Sequence, residues 1–337
     1  MIARGSWKWV ALAAIGLAVV LALPRAGVPP FYVSLLTQTW IYAMVAMSLD
    51  LLVGFTGLVS FAQAAFFGAG AYAVAIAATR YAHADFATGI VIGLVAGAFI
   101  AAIFGLVALR AEGVGFIIIT IALNQIMWGL AYQWVSMSGG DNGITGFVRP
   151  KVGPFDVSGN SGFYYLCVAF LILMLVLLVA ITRSPFGLVL RGVRETPRRM
   201  RALGYNVWLY RYLALLIAGA LAGVAGVLFA WYNQFVGPGD LDLSLSTQLL
   251  IIVILGGIGS LYGQILGAGI VVFLSNGLSA LTQRWELILG AIYFVIVMYA
   301  PDGLVGLGHR IVRRIRGKRA AAPRIESQLL GVTGEES

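Results

Sequence analysis

Apolar stretches as long as a bilayer core is thick recur almost without pause from Trp7 to Ala300, and this constrains the chain more than any motif it carries. A hydrocarbon layer of about 30 Å takes about 20 apolar residues per helix. No water is available there to satisfy backbone N–H and C=O groups, so each stretch must close its own hydrogen bonds as a helix. Charged residues make up 10% of the chain, against roughly a quarter in soluble domains. The expectation is an all-α polytopic membrane protein.

Breaks at proline, glycine and charged residues divide the sequence into ten expected spans: 7–23, 31–53, 57–79, 88–109, 114–135, 162–182, 209–232, 244–260, 264–282 and 286–301. The first follows Arg4 and Lys8 and has the charge and length of a secretion signal; with so many spans behind it, it reads as an uncleaved first helix. An even number of spans leaves both ends on one side. With the N-terminus cytoplasmic, the inner segments hold 17 of the 22 Lys and Arg residues and the outer loops hold 5, which the positive-inside rule favours. The division is a permease domain over 1–308, a cytoplasmic loop over 183–208 within it, and a basic tail over 309–337 that is disordered toward its end. Its Arg310 to Arg319 run reads as a lipid anchor and not as a nucleic-acid surface. Ten spans also allow a five-plus-five inverted repeat. The resemblance of Gly54–Gln63 to Gly256–Gln264 does not support it, because both fall at cytoplasmic ends and an inverted pair would not.

Catalytic chemistry has no foothold. Cys167 is the single cysteine, and His83 and His309 are too few and too distant for a metal cluster. Lysine occurs only at 8, 151 and 318, none of them in a phosphate-binding loop. No catalytic residue and no metal ligand is therefore expected, and any ATP and Mg would be bound by separate subunits. The 43 glycines cluster inside spans, where small residues let helix backbones approach. The Gly54–Ser60 and Gly256–Gly263 clusters also interrupt helices, which at membrane depth is tolerated only beside protein or a water-filled cavity.

A strongly basic interruption between two apolar spans is Arg183 to Gly204, with six arginines and one acid. Thr196 suits an N-cap, Pro197 the first helical position and Gly204 a left-handed C′ residue, giving a two-turn helix of Pro197 to Leu203. So short a helix does not persist alone. It needs a docking surface, on its own domain or on another protein. Polar residues within spans, Gln63, Asn124, Gln125, Gln248 and Asn276, are candidates for a translocation path or for interhelical hydrogen bonds. Asp50, near the end of its span, reads as a helix-end or loop contact.

Several motifs together resemble the permeases of branched-chain amino acid ABC transporters. They are Gly57 to Tyr72, Gly139 to Gly146, Arg183 to Gly187, Arg194 to Pro197, Ala202 to Val207, Ala218 to Gly226, Leu255 to Gly263 and Pro301 to Leu304, covering roughly residues 35 to 308. Gly139 to Gly146 is more similar to the LivM-type subunit than to its LivH-type partner. The resemblance implies a type II importer fold in a bacterial inner membrane. It also implies a heterodimer with a LivH-type permease, two ATP-binding cassette subunits and a periplasmic binding protein. Arg194, Glu195, Pro197, Arg198, Met200, Leu203 and Gly204 would form the ATPase-coupling contact, with Met200 and Arg201 standing where relatives often carry alanine and an acid. Asp141, Asn142 and Asp156 in the Ser136–Ser161 loop would help receive the binding protein. Substrate would be a branched-chain amino acid or a related small polar solute such as urea, an amide or an aromatic acid, moved by alternating access. The competing expectation is a gradient-driven secondary transporter or channel.

Overall fold

Glycine positions decide how the helices of this chain meet. Its computed structural model describes residues 29–80, 85–150, 159–280 and 284–299, together with Pro24, Gly303 and Gly306. The helices are α1 (Pro30–Asp50), α2 (Gln63–Arg80), α3 (Phe86–Ala108), α4 (Val114–Gln133), α5 (Val135–Ser138), α6 (Asn160–Arg183), α7 (Pro185–Glu195), α8 (Pro197–Ala202), α9 (Val207–Asn233), α10 (Leu243–Gly256), α11 (Gly263–Ser279) and α12 (Trp285–Tyr299). Two-residue strands β1 (Ile144–Thr145) and β2 (Phe235–Val236) pair antiparallel. Among the described residues, α1 with its extension to Thr56, α3, α4, α6 and α9 are long and apolar enough to cross a membrane.

α9 lies against α2 and α3 with almost no side-chain layer between them. A Cβ on Gly70 would strike the Gly223 carbonyl, and one on Gly226 would strike the carbonyl of Phe67. Gly97 meets the Gly219 carbonyl in the same way. Such approach replaces the missing hydrophobic drive between helices in lipid with dispersion contacts between backbones. α1 is buried from Thr39 to Asp50 and packs against α6, α9, α10 and α11, so it forms the centre of the bundle.

Two sets of contacts define the ends of this bundle. At one end Arg194 reaches the Gly54 carbonyl, and Glu112 pairs with Arg201 and Arg211 at 2.9 and 3.3 Å. That end collects the loops after α1, after α3, before α9 and after α10. At the opposite end β1 meets β2, and Arg80 donates to the Ser136 carbonyl. Arg149 there donates to the carbonyls of Trp231 and Tyr232 at 3.0 and 3.2 Å, satisfying the last turn of α9. The loops alternate between ends in the order the charge distribution requires.

Several boundaries differ from the sequence reading. α2 begins at Gln63 and not near 57, because Gly57 is left-handed at φ 75° and the chain runs irregularly to Ala62. α1 continues past 53 through a π-helical turn, Leu51–Thr56. The polar loop holds a helix ahead of the expected one: α7 buries Val189, Leu190 and Val193 and exposes Arg191 and Arg194. Thr196 takes the N-cap position of α8 without a side-chain capping bond, while Ser184 caps α7. α8 ends at Ala202, with Leu203 as its C-cap and Gly204 left-handed at φ 87°. The expected span 7–23, the tail 309–337 and Asp156 lie outside the described residues.

Candidate functional site

Polar side chains inside the bundle fall into two groups, one that supports broken backbone and one that faces a cavity. The first forms around the start of α2, which lies deep in the protein, opposite the midpoint of α4. A helix start leaves N–H groups without intrahelical partners, and here other helices supply them. Ala64 N–H donates to Ser246 Oγ at 3.0 Å and Ala65 N–H to Asn124 Oδ1 at 3.0 Å. Thr120 Oγ1 accepts from Phe61 N–H at 3.3 Å. Asn124 Nδ2 donates onward to the Leu241 carbonyl at 2.9 Å, and Gln63 Nε2 to Ser48 Oγ at 2.6 Å. Asn124 and Gln63 are thus engaged in holding a helix start, and neither lines the cavity described below. Gln125 is exposed on α4.

The two glycine clusters that interrupt helices come together at the end that carries α7 and α8. Asp50 is fully buried, and its Oδ1 accepts from Gly259 N–H at 2.7 Å. A Cβ on Gly54 would lie 2.5 Å from both that Oδ1 and the Gly259 nitrogen. Gly257 and Gly259 are left-handed at φ 103° and 82°, a conformation that side chains with a Cβ rarely adopt. Arg194 of α7 donates to the Gly54 carbonyl, and its side chain would meet a Cβ placed on Gly57. The loop preceding α8 is therefore bonded to the point where the π turn of α1 crosses the end of α10. We call this crossing the joint.

Beyond the joint, α8 buries none of its residues. Met200 alone leans inward, onto Val189, Val193 and Val207. Glu195, Arg198 and Gly204 are exposed, Pro197 is half-buried, and Leu203 is 66% exposed. Arg201 bonds Glu112, which gives a local reason for a base at that position. Asp141 and Asn142 are exposed in a 3-10 turn at the opposite end.

The second group lines a cavity of about 510 Å³ between α1, the Pro238–Leu241 turn, α10, α11 and α12. Tyr42, Asp240, Ser244, Thr247, Gln248, Ser275 and Tyr293 face it together with Leu245, Ile251 and Leu289. A neighbouring cavity of about 240 Å³ shares Tyr42, Gln248 and Ser275 and adds Gln38, Asn276 and Ser279. The two form one polar groove, which brings Gln248 and Asn276 together as candidates. Gln248 Nε2 contacts Ser275 Oγ at 3.5 Å, and Asn276 Nδ2 donates to the carbonyl of Val272 at 2.9 Å. Asp240 was missed in the sequence. A lone acid beside a Pro-Gly turn between two apolar stretches was the available signal, since acids at membrane depth are costly and functional by default. Tyr42 and Tyr293 gave no signal, because an aromatic residue on an apolar helix is unremarkable.

The profile of the family described as "Branched-chain amino acid transport system / permease component" matches residues 31–298. The chain is 29% identical over 305 residues to the high-affinity branched-chain amino acid transport system permease protein LivM of Salmonella typhimurium, covering 82% of this chain and 71% of that one. The LivM protein of Escherichia coli is likewise 29% identical over 304 residues, with the same coverage. A probable branched-chain amino acid transport permease protein LivH of Methanocaldococcus jannaschii is 26% identical over 211 residues, 59% of this chain and 66% of that one. No solved structure matches the chain.

Proposed function

Because the chain belongs to the family of branched-chain amino acid transport system permease components, we propose that it is the LivM-type membrane subunit of an ATP-driven importer. It pairs with a LivH-type permease, stands on two ATP-binding cassette subunits and receives substrate from a periplasmic binding protein. The α7–α8 end is cytoplasmic, as the arginine distribution favours, and the membrane is the bacterial inner membrane. The substrate is a branched-chain amino acid, the class printed in the names of the LivM and LivH relatives.

The observation that carries this reading is the combination of an exposed α8 with a bonded α7. Glu195 at the end of α7, Arg198 of α8 and its C-cap Leu203 face outward, and beside them Arg194 grips the joint. Closure of the nucleotide-binding subunits would push α8. The push would reach α1 and α10 through Arg194, Gly54 and Gly259. Both helices line the groove, so the groove changes access as the joint turns. Asp141 and Asn142 are exposed at the opposite end and would help receive the binding protein. ATP and Mg belong to the partner subunits.

Uptake of leucine into proteoliposomes holding the full assembly tests the proposal. ATP inside and binding protein outside should suffice with no ion gradient, and uptake that persists without the ATPase subunits overturns it. Leu203→Ala removes an exposed side chain, so the stability read by thermal unfolding should stay within about 0.5 kcal/mol of wild type. Substrate-stimulated ATPase activity should fall about tenfold. Unchanged stimulation in that variant would remove α8 from the transmission route.

A further inference from the structure

The groove holds one charge and no counter-charge. Asp240 is the only carboxylate among the described residues lining either cavity, and no lysine, arginine or histidine lines them. Its Oδ2 accepts from Gly237 N–H at 3.0 Å, which fixes the carboxylate on the Pro238–Leu241 turn, and no hydrogen bond within the described residues engages Oδ1. Its neighbour Asp242 is differently used, capping α10 through Ser244 N–H at 3.2 Å. Across the same cavity the Tyr293 hydroxyl is buried, on a residue 5% exposed, without a hydrogen-bond partner. A buried polar atom without a partner is unfavourable, and a carboxylate in a partly apolar cavity more so. Both costs are relieved when a ligand supplies the missing groups.

The chemistry of that ligand follows from the lining. A carboxylate selects a protonated amine, while the neutral N–H and O–H donors of Gln248 and Tyr293 face the same space and can donate to the solute's own carboxylate. Leu245, Ile251 and Leu289 offer apolar surface for a short aliphatic side chain. We propose that the groove is a substrate site in which Asp240 binds the ammonium group of the transported amino acid. This rests on the importer reading and deepens it by assigning the residue that recognises the amine.

Two measurements test the assignment on the complete transporter in proteoliposomes and in detergent. In the first, Asp240→Asn keeps an acceptor for Gly237 N–H but loses the charge; leucine uptake should fall about tenfold or more, the loss of one charge-assisted hydrogen bond. Asp240→Glu, which keeps the charge, should retain more uptake than Asp240→Asn. Equal uptake by wild type and Asp240→Asn, or equal loss in both variants, overturns the assignment. The second needs no variant. The wild-type complex is treated with a hydrophobic carbodiimide and modification of Asp240 is read by mass spectrometry. Millimolar 3-methylbutylamine should protect Asp240 and 4-methylpentanoate should not. Equal labelling with and without the amine overturns the proposal, as would Asp240 blocked throughout by a cation from the partner permease. Uptake that is Asp240-dependent yet needs no ATPase would sink the importer reading and leave the ammonium site standing. Uptake that is ATP-dependent yet indifferent to Asp240 would do the reverse.

Discussion

The joint and the groove are built from the same kinds of residue, a carboxylate and glycines, yet they are organised in opposite ways. At the joint Asp50 Oδ1 is bonded to backbone, and Gly54 lies so close to Gly259 that no Cβ fits on it. In the groove Asp240 has an oxygen without a hydrogen bond inside the described residues, and Gly290 has nothing within 4 Å of where its Cβ would stand. One arrangement spends polar groups to hold two broken helices in register; the other leaves them facing space. The contrast teaches that polarity at membrane depth does not by itself identify a pathway. What distinguishes the two is whether the partners are backbone or cavity.

That contrast can be broken first at Gly54. Gly54→Leu places a side chain where Asp50 and the Gly259 backbone already stand, and should destabilise the permease by about 3 kcal/mol or more. Thermal unfolding in detergent reads the effect, and a midpoint near that of wild type would mean the crossing is loose. A smaller loss is expected at Asp50. Asp50→Ala strands Gly259 N–H and should cost about 1–3 kcal/mol, with Asp50→Asn recovering part of it because an acceptor remains. Equal midpoints for the alanine and asparagine variants would show that this bond contributes nothing. Gly290→Leu should be the mildest for the fold, within about 0.5 kcal/mol, since the added side chain enters open space. Its effect belongs to transport: by filling the groove it should reduce leucine uptake about tenfold while the assembly still purifies intact. Normal uptake in that variant would detach the groove from the path.

Much of the fold was legible because membrane helices obey strong rules. Length, apolarity and arginine placement gave the course of α3, α4, α6 and α9 and the grouping of loops at two ends. The start of α2 was illegible, because Gly57 to Ala62 is as apolar as a helix, and its irregular backbone depends on Thr120, Asn124 and Ser246, which are distant in sequence. The site was partly legible. Gln248 and Asn276 stand in the groove, and Glu195, Arg198 and Leu203 are exposed. Gln63 and Asn124 could not be told from pathway residues, since an amide that satisfies a helix start has the same letter as one that touches a solute. The likeness of the two glycine clusters was legible, but their meeting across 200 residues of chain was not.

The close approach of α2, α3 and α9 has a mechanical consequence. Where carbonyl oxygens occupy the places of absent Cβ atoms, at Gly70, Gly97 and Gly226, there are no rotamers to exchange and no interdigitated layer to ratchet. Sliding one of these helices along another would have to pass backbone over backbone. The three therefore behave as a chassis. The helical ladder is interrupted elsewhere, in the stretch from Gly57 to Ala62 and at the glycines after α10. Under the importer proposal, any turning of α10 and of the end of α1 would start at those interruptions and leave the chassis as it is.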